Sequence, residues 1–305
     1  MATLKQQARS APPAVGGANG RAAAARRRAG RQPQGYVFLA PWLVGALALT
    51  VGPMVVSLYL SFTDYNLFTD PNWVGLDNYR RMFTDDDRYL QSAKVTATYV
   101  LAAVPLKLIA SLAVALLLNS RRRGGFYRAA FYAPSLLGAS VAAALVWRAM
   151  FIGGGPVNEL LDRLGWHTPS WVDDPSYTIW SIVLLGMWQF GAPMVIFLAG
   201  LKQIPRDLYE AAEVDGASRA RRFWHITIPM LSPVIFFNLV MEAIHAFQAF
   251  TPAYVIGGGR GGPADSALFY TLYLYQVGFA EFDMGYAAAM AWVLLVVIGL
   301  VTMLL

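Results

Sequence analysis

Six long apolar segments, separated by polar ones, constrain the fold of this chain more than any other feature of its sequence. A bilayer core about 30 Å thick requires roughly 20 consecutive apolar residues of α-helix. Strands of a membrane barrel would instead show short segments of alternating polarity. The sequence therefore predicts an all-α polytopic membrane protein with six transmembrane helices, at about residues 36–62, 93–119, 129–152, 177–201, 230–256 and 286–305.

The overall composition agrees with this fold class. Apolar residues make up 57% of the chain and charged residues only 14%, which is too apolar for a water-soluble domain of 305 residues. The chain contains no cysteine, so disulfides and thiolate metal sites are excluded. Its three histidines are far apart in sequence and belong to no metalloprotease motif, and we expect no metal site.

The charged residues between the apolar segments predict the orientation. Sixteen Lys and Arg residues lie in the N-terminal tail, in the loop after the second segment, and in the polar segment between the fourth and fifth. The three loops on the opposite side hold five basic and thirteen acidic residues. The positive-inside rule places the basic set, and with it both termini, in the cytoplasm. The net charge of +6 then follows from topology in the cell (inner or plasma) membrane, and we expect no nucleic-acid partner.

The N-terminal region, residues 1–35, is rich in Ala, Arg, Gly and Pro and lacks hydrophobic periodicity. This composition predicts a disordered basic cytoplasmic tail. A cleaved signal peptide would have an apolar core of 7–15 residues, whereas the run from Tyr36 to Phe62 holds 27. We therefore interpret the first apolar segment as an uncleaved span.

Residues 202–229 form the only long polar stretch between two strongly apolar segments in the second half of the chain. Pro205 and Asp207 favour the start of a helix. Gly216 permits a turn that a side chain would hinder. The pattern predicts a hairpin of two short amphipathic helices, with Pro229 at the start of the next span. An amphipathic helix lying on the lipid surface is the alternative interpretation.

The same segment contains a recognisable spacing of residues. The positions concerned are Glu210, Ala211, Ala212, Gly216, Ile226, Ile228 and Pro229. They resemble the E-A-A-x3-G-x9-I-x-L-P signature of the membrane subunits of ATP-binding-cassette (ABC) importers. Ile228 departs from it, since it stands where that family usually has Leu.

Shorter patterns elsewhere extend the resemblance over about residues 36–305. Each is weak by itself, but they occur in the order and at the spacing of carbohydrate permeases of the maltose and glycerol-phosphate type. They lie at 73–79 (WVGLDNY), 128–134 (RAAFYAP), 155–161 (GPVNELL) with Trp171, and 258–263 (GGRGGP).

The resemblance implies a type I ABC importer permease fold and the function of a binding-protein-dependent sugar or polyol importer subunit. Its implied partners are a second homologous permease, two ABC ATPase subunits, an extracytoplasmic solute-binding protein and the lipid bilayer. The chain has no G-x-x-x-x-G-K-[ST] loop, so we expect ATP and Mg to be bound by the partner ATPase, with no cofactor and no enzymatic activity in this chain. The implied ATPase-coupling residues are Glu210, Ala211, Ala212, Asp215, Gly216 and Pro229.

Polar residues within the spans are candidates for a substrate path, because exposing them to lipid is costly. Asn238, Glu242 and His245 follow one another at helical spacing in the fifth span, with Gln248 a turn beyond. Hydrogen bonding between helices is the alternative role for such residues. The complete candidate set is Asn238, Glu242, His245, Gln248, Phe250, Tyr254, Trp188 and Gln189, of which Phe250 and Tyr254 offer a stacking surface.

Two further charges lie inside predicted spans. Lys107 falls midway through the second span, and we expect it to face the bundle or a cavity, with Glu242 as its candidate partner. Arg148 lies near the outer end of the third span, where it can reach the interface. An ion-gradient-driven secondary transporter would also explain six spans and Glu242, but it leaves the hairpin signature unexplained.

Overall fold

The computed structural model of the chain describes residues 33–119, 125–138 and 140–305. Within these ranges every regular element is helical, apart from an isolated bridge between Thr63 and Trp73. The tail predicted at residues 1–35 lies outside the described residues, except for its last three positions, which are helical. The chain divides near residue 57 into two compact units, and the polar hairpin and the residues predicted for the substrate path lie in the second, Ser57–Leu305.

Fifteen α-helices are present in the described ranges, and short π-helical or 3₁₀ turns join or extend several of them. The π turns are Leu47–Val51, Phe223–Thr227 and Gln276–Ala280, and the 3₁₀ turn is Pro263–Asp265. The α-helices are α1 Pro33–Ala46, α2 Gly52–Leu60, α3 Asp77–Thr84, α4 Asp87–Asn119, α5 Gly125–Leu137, α6 Val141–Phe151, α7 Pro156–Arg163, α8 Pro175–Trp188, α9 Gly191–Gln203, α10 Arg206–Val214, α11 Arg219–Arg222, α12 Ile228–Phe247, α13 Thr251–Ile256, α14 Tyr270–Tyr275 and α15 Met284–Leu304.

Four helical runs in the described residues are long and apolar enough to cross a membrane: Phe38–Leu60, Asp87–Asn119, Arg219–Ile256 and Met284–Leu304. They correspond to the first, second, fifth and sixth predicted spans. The third and fourth predicted spans are each broken into two helical parts, bent by 96° and 42°. The number of spans is therefore four to six, and it is six only if each bent pair counts as one span.

The break in the fourth predicted span is stabilised by hydroxyl groups from other helices. Ser135 Oγ donates to the carbonyl oxygen of Gln189 over 3.0 Å, and Ser111 Oγ donates to that of Phe190 over 2.9 Å. Backbone carbonyls that leave a helix inside a membrane need such partners. Gly191 follows the break, and a Cβ there would lie 2.7 Å from the carbonyl oxygen of Phe131, so only glycine permits this close helix crossing.

Helix α4 runs from the end of the second unit that carries the segment before α14 to the end that carries the polar hairpin. At its start, Arg88 bonds to Asp265 in the segment before α14. Near its other end, Ala115 packs in a core cluster with Leu201 and Ile204, beside the polar hairpin. We call these the loop end and the hairpin end. The charge pattern predicts that the loop end faces outward.

The segment between α13 and α15 falls between the fifth and sixth predicted spans, where the apolar pattern predicts only a connecting loop. It folds back into the core and forms α14, in which Tyr270, Leu272 and Tyr273 are buried. Tyr270 donates a hydrogen bond through its hydroxyl to the carbonyl oxygen of Met290, one and a half turns into α15. A helix of six residues is too short to resemble a span, so the apolar pattern gave no sign of a buried segment.

The Asp86 carboxylate joins three helices at the loop end. It accepts hydrogen bonds from the Tyr273 hydroxyl at 2.7 Å, the Tyr286 hydroxyl at 2.6 Å and the Tyr89 backbone N–H at 2.9 Å. Burial opposes ionisation of this carboxyl, but the hydrogen bonds outweigh burial and lower its pKa. Asp86 is therefore a charged anchor that fixes α14 and α15 against the start of α4.

Candidate functional site

A cavity of about 510 Å³ lies between α4, the end of α5, the α8–α9 break and the α12–α13 break. Pockets for small organic ligands usually fall in this size range. Five of the residues predicted for the substrate path line it: Gln189, Glu242, His245, Gln248 and Phe250. The cavity is therefore built where two of the long helical segments lose their regular hydrogen bonding.

The cavity wall contains an ion pair between two different helices. Lys107 Nζ on α4 lies 2.7 Å from Glu242 Oε2 on α12, and the two side chains are only 17% and 12% exposed. The pairing suggested by the sequence is confirmed. An unpaired charge at mid-depth of a membrane costs about 2.5–3.5 kcal/mol. The pair thus lets a polar cavity exist within an apolar bundle.

Three predicted substrate-path residues do not line this cavity. Asn238 is buried and donates its side-chain amide to the carbonyl oxygen of Val234 in its own helix at 3.1 Å, which is a structural role. Trp188 packs against Trp147, with ring centroids 6.0 Å apart. Tyr254 lies next to the cavity, where it stacks on Phe250 at 5.4 Å.

The structure adds lining residues that sequence reasoning missed. Tyr99 and Ala103 precede Lys107 by two turns and one turn of α4, so all three share a helix face that borders the cavity. Because Tyr99 lies two helical turns before Lys107, the position of Lys107 could have indicated that Tyr99 lines the cavity as well. Ser135, by contrast, reaches the cavity from a different helix, and nothing local in the sequence marks it.

Arg148, which the sequence places near the outer end of the third predicted span, donates from Nη1 to the carbonyl oxygen of Val255 at 3.2 Å. It thereby ties α6 to α13. Val255 is one residue from the end of α13, so the bond supports the helix that leads from the cavity to the loop end.

The predicted hairpin is present in the structure. Helix α10 ends at Val214, and Gly216 follows with φ of +73°. The backbone N–H of Ala217 donates to the carbonyl oxygen of Ala212 at 2.8 Å, which closes the turn. Left-handed backbone of this kind favours glycine. Beyond the turn, Ser218 caps α11 by accepting a bond from Arg221 N–H at 3.3 Å.

Polar contacts join the two arms of the hairpin, and packing holds it against the bundle. The Tyr209 hydroxyl bonds to Thr227 Oγ1 at 2.9 Å, and Arg222 pairs with Glu213 at 2.9 Å. Tyr209 and Ile226 pack on the core cluster at the hairpin end. The helix that begins at Arg219 continues through a π turn past Pro229 into α12, so the second arm of the hairpin and the next span form one helical run.

The predicted coupling residues lie on the surface of this hairpin. Glu210, Ala211, Asp215, Gly216 and Pro229 are exposed, and Ala212 is half-buried. Apolar side chains beside them are also exposed, by 42% at Leu208, 89% at Val214 and 64% at Trp224. The hairpin thus presents an apolar surface rimmed by charges, a pattern typical of a protein-docking site.

Comparison with protein families decides the class of this chain. The family described as binding-protein-dependent transport system inner membrane component matches residues 87–305. The chain belongs to this family. It is therefore a multi-pass inner-membrane permease, and both the cavity and the hairpin lie wholly within the matched residues.

Curated relatives cover most of this permease. It is 54% identical to the probable ABC transporter permease protein YesP of Bacillus subtilis over 273 residues, covering 89% of this chain and 88% of YesP. The arabinooligosaccharides transport system permease protein AraP of the same organism is 31% identical, covering 88% and 86%. The trehalose/maltose transport system permease protein MalF of Thermococcus litoralis is 33% identical, covering 80% and 84%.

A solved structure shows the same fold. A chain of a bacterial alginate ABC transporter, crystallised in complex with its alginate pentasaccharide-bound periplasmic protein, superposes with a TM-score of 0.75. The match covers 88% of this permease and 91% of that chain at 22% sequence identity. The type I ABC permease fold implied by the resemblance is therefore shown for this chain.

Proposed function

We propose that this permease is one half of the translocation path of an ATP-driven, binding-protein-dependent importer for a sugar or sugar oligomer. The cavity carries the proposal, because it combines a suitable size with hydroxyl, amide, carboxylate and ammonium groups in a membrane-embedded helical bundle. Such groups hydrogen-bond hydroxyl-rich ligands from several sides. The relatives named for arabinooligosaccharides and for trehalose or maltose support the substrate class.

The other half of the path comes from a second, homologous permease in this proposal. Each permease docks one ATPase at its hairpin, and a solute-binding protein delivers the sugar to the loop end. Glu210 orients the hairpin through polar contacts with the ATPase, and Ala211 and Ala212 permit close approach. The exposed apolar side chains around Val214 support this assignment.

Force applied to the hairpin would reach the cavity through a continuous helical run. Residues 219–247 extend without interruption from the hairpin to Glu242 and His245. Movement of α12 relative to α4 would then alter the cavity at the Lys107–Glu242 contact. ATP-driven closure of the ATPases thereby exposes the cavity alternately to the two sides of the membrane.

The ion pair also favours a second candidate function. Carboxylates paired at mid-membrane depth are used by ion-coupled transporters. In that case the Glu242 carboxylate would separate from Lys107 and bind a proton or a metal cation during transport. The hairpin surface has no role in such a mechanism, which is why the ATP-driven importer is the better-supported proposal.

The substrate class is tested first on the cognate solute-binding protein and then on the whole importer. Thermal-shift measurements with arabinooligosaccharides, maltose, trehalose, lactose and alginate oligosaccharides should show one or more sugars that raise the melting temperature of the binding protein. The same sugars should be taken up by proteoliposomes that contain both permeases and the ATPases. Absence of uptake of every stabilising sugar would contradict the proposal.

A further inference from the structure

Four aromatic side chains form a continuous ladder that starts at the cavity. Phe250 lines the cavity and stacks on Tyr254, with centroids 5.4 Å apart and planes 30° apart. Tyr275 meets Phe250 edge-on at 5.3 Å and Tyr254 at 6.0 Å. Phe279 then stacks on Tyr275 at 5.4 Å with planes 26° apart. Each ring thus touches the next, and the first borders the cavity.

Contacts along α14 show that the ladder leads from the cavity to the loop end. Thr271 Oγ1 donates to the carbonyl oxygen of Ala249, a cavity residue, at 2.6 Å. Five residues later, Gln276 Nε2 donates to the carbonyl oxygen of Gly259 at 3.0 Å, and Arg88 donates to Gln276 Oε1 at 3.3 Å. Phe279 comes almost a turn beyond Gln276. The ladder therefore crosses the depth between the cavity and the predicted outer surface.

The surrounding structure fixes the ladder in place. Arg88 makes two bonds of 3.1 Å to the Asp265 carboxylate, which ties the glycine-rich loop to α4. Within that loop Gly259 has φ of +77°, and a Cβ there would lie 3.5 Å from the Tyr254 ring. The bare backbone of Gly259 and the bond from Gln276 hold the loop beside the rings. Rings held in this way lose little freedom when a ligand stacks on them.

The rings remain available to a ligand. Tyr254, Tyr275 and Phe279 are 41%, 39% and 60% exposed. In the part of the chain that the structure describes, neither tyrosine hydroxyl of this group has a hydrogen-bonding partner. A ladder buried in hydrocarbon would leave those two hydroxyls unsatisfied, which is unfavourable. Faces of aromatic rings combined with free hydroxyls suit a ligand that has both C–H faces and hydroxyl groups.

We propose that Phe250, Tyr254, Tyr275 and Phe279 form a stacking track that guides a sugar from the loop end into the cavity. This inference rests on the proposed importer function and names the path of its substrate. The occupant is a carbohydrate, because the track ends at a polar cavity suited to hydroxyl-rich ligands. Lipid chains and the second permease are the competing occupants, and the experiment separates them from sugar.

The absence of cysteine from the chain allows a direct accessibility test. Phe279→Cys and Tyr275→Cys are introduced singly into the complete importer in proteoliposomes, and a charged methanethiosulfonate reagent is added on the side opposite the hairpin. The control is Leu300→Cys, which replaces a side chain 54% exposed on α15 and outside the track. We expect both track variants to react about tenfold faster than the control, because the charged reagent needs water and a thiolate. Equal rates would mean that lipid or the second permease covers the track, and would overturn the proposal.

Uptake measurements test whether the rings act on sugar. Phe279→Leu keeps an apolar side chain but removes the ring, whereas Phe279→Tyr keeps the ring. For the sugar that the wild-type importer takes up, the Leu variant should raise KM about fivefold and the Tyr variant should match wild type, given the strength of aromatic contacts. A KM unchanged in both variants would overturn the track while leaving the importer function intact. Failure of the wild-type importer to take up any sugar would contradict the proposed function instead.

Discussion

At the scale of single residues, several buried polar groups that line or border the cavity are paired across different helices. Lys107 and Glu242 neutralise each other in the cavity wall. Ser111 and Ser135 satisfy the carbonyl groups that the α8–α9 break releases. In an apolar bundle such pairs determine which helices lie together, because each group left without its partner is costly.

The first residue-scale prediction concerns the ion pair. Glu242→Ala should lower the free energy of unfolding by about 3 kcal/mol, since it leaves Lys107 as a buried, unpaired charge. At an unfolding entropy of roughly 2.1 cal/mol/K per residue, this corresponds to a fall in melting temperature of about 5 °C for a chain of 305 residues, measurable on the purified permease in detergent. The double variant Lys107→Met/Glu242→Leu is the matched control and should recover most of the loss. Equal stability of wild type, single and double variants would show that the pair contributes nothing.

The second residue-scale prediction concerns pH. The pKa of Asp86 is lower in the folded state than the value of about 3.9 expected in the unfolded chain. A depressed carboxyl pKa stabilises the fold above the unfolded-state pKa, and this stabilisation is lost as the pH falls through the folded-state pKa. Melting temperatures should therefore be higher for wild type than for Asp86→Asn at pH 7, and the difference should shrink towards pH 3. A difference that stays constant with pH would refute an ionised Asp86 anchor.

At the scale of elements, the hairpin and the broken helices carry the function that we propose. The Tyr209–Thr227 hydrogen bond joins the two arms of the hairpin, and the second arm continues directly into α12. The breaks before α9 and α13 open the space that becomes the cavity. In our proposal the continuous helix transmits displacement from the hairpin, and the interrupted helices provide the substrate site.

The element-scale prediction tests the turn of the hairpin. A Cβ at Gly216 would have no heavy atom within 4 Å, so a substitution there acts through the backbone conformation alone. Gly216→Val should cost about 1–2 kcal/mol in the turn because an L-residue is strained at positive φ. It should sharply reduce the amount of ATPase that copurifies, while membrane insertion is unchanged. Asn tolerates this conformation, so Gly216→Asn should retain more ATPase than Gly216→Val.

Gly299→Val is the matched control, because Gly299 also has open space around it but lies in regular helix α15. It should copurify the ATPase at wild-type yield. If Gly216→Val retains the ATPase as well as Gly299→Val does, the hairpin turn is not needed for docking.

The sequence predicted the long helices and the hairpin but not the break at Gln189 or the buried helix α14, for a physical reason. Apolar length and the glycine turn are local signals, so the long helices and the hairpin at Gly216 could be predicted. The break at Gln189 depends on Ser135, 54 positions earlier, and the buried helix α14 depends on contacts with Thr96 and Met290. Interactions between distant parts of the chain leave no periodic pattern, which is why the cavity was identified only in part, through Glu242 and its helical neighbours.

At the scale of the whole molecule, the permease combines an exposed hairpin, where we propose that the ATPase docks, with a cavity in the same bundle. The sequence contains no phosphate-binding loop of the G-x-x-x-x-G-K-[ST] type, and our proposal takes the energy from a separate subunit. Family membership and the exposed hairpin support an ATPase as that source, whereas the Lys107–Glu242 pair is what an ion-driven mechanism would use. The source of energy is therefore the central question about this protein.

Sugar uptake into proteoliposomes that contain the assembled importer tests the source of energy most directly. ATP is enclosed or omitted, the loaded binding protein is present or absent on the opposite side, and an ionophore collapses the proton and sodium gradients. Our account predicts uptake that requires both ATP and the binding protein and that persists after the gradients are collapsed. Uptake that proceeds without ATP and stops when the gradients are collapsed would contradict it.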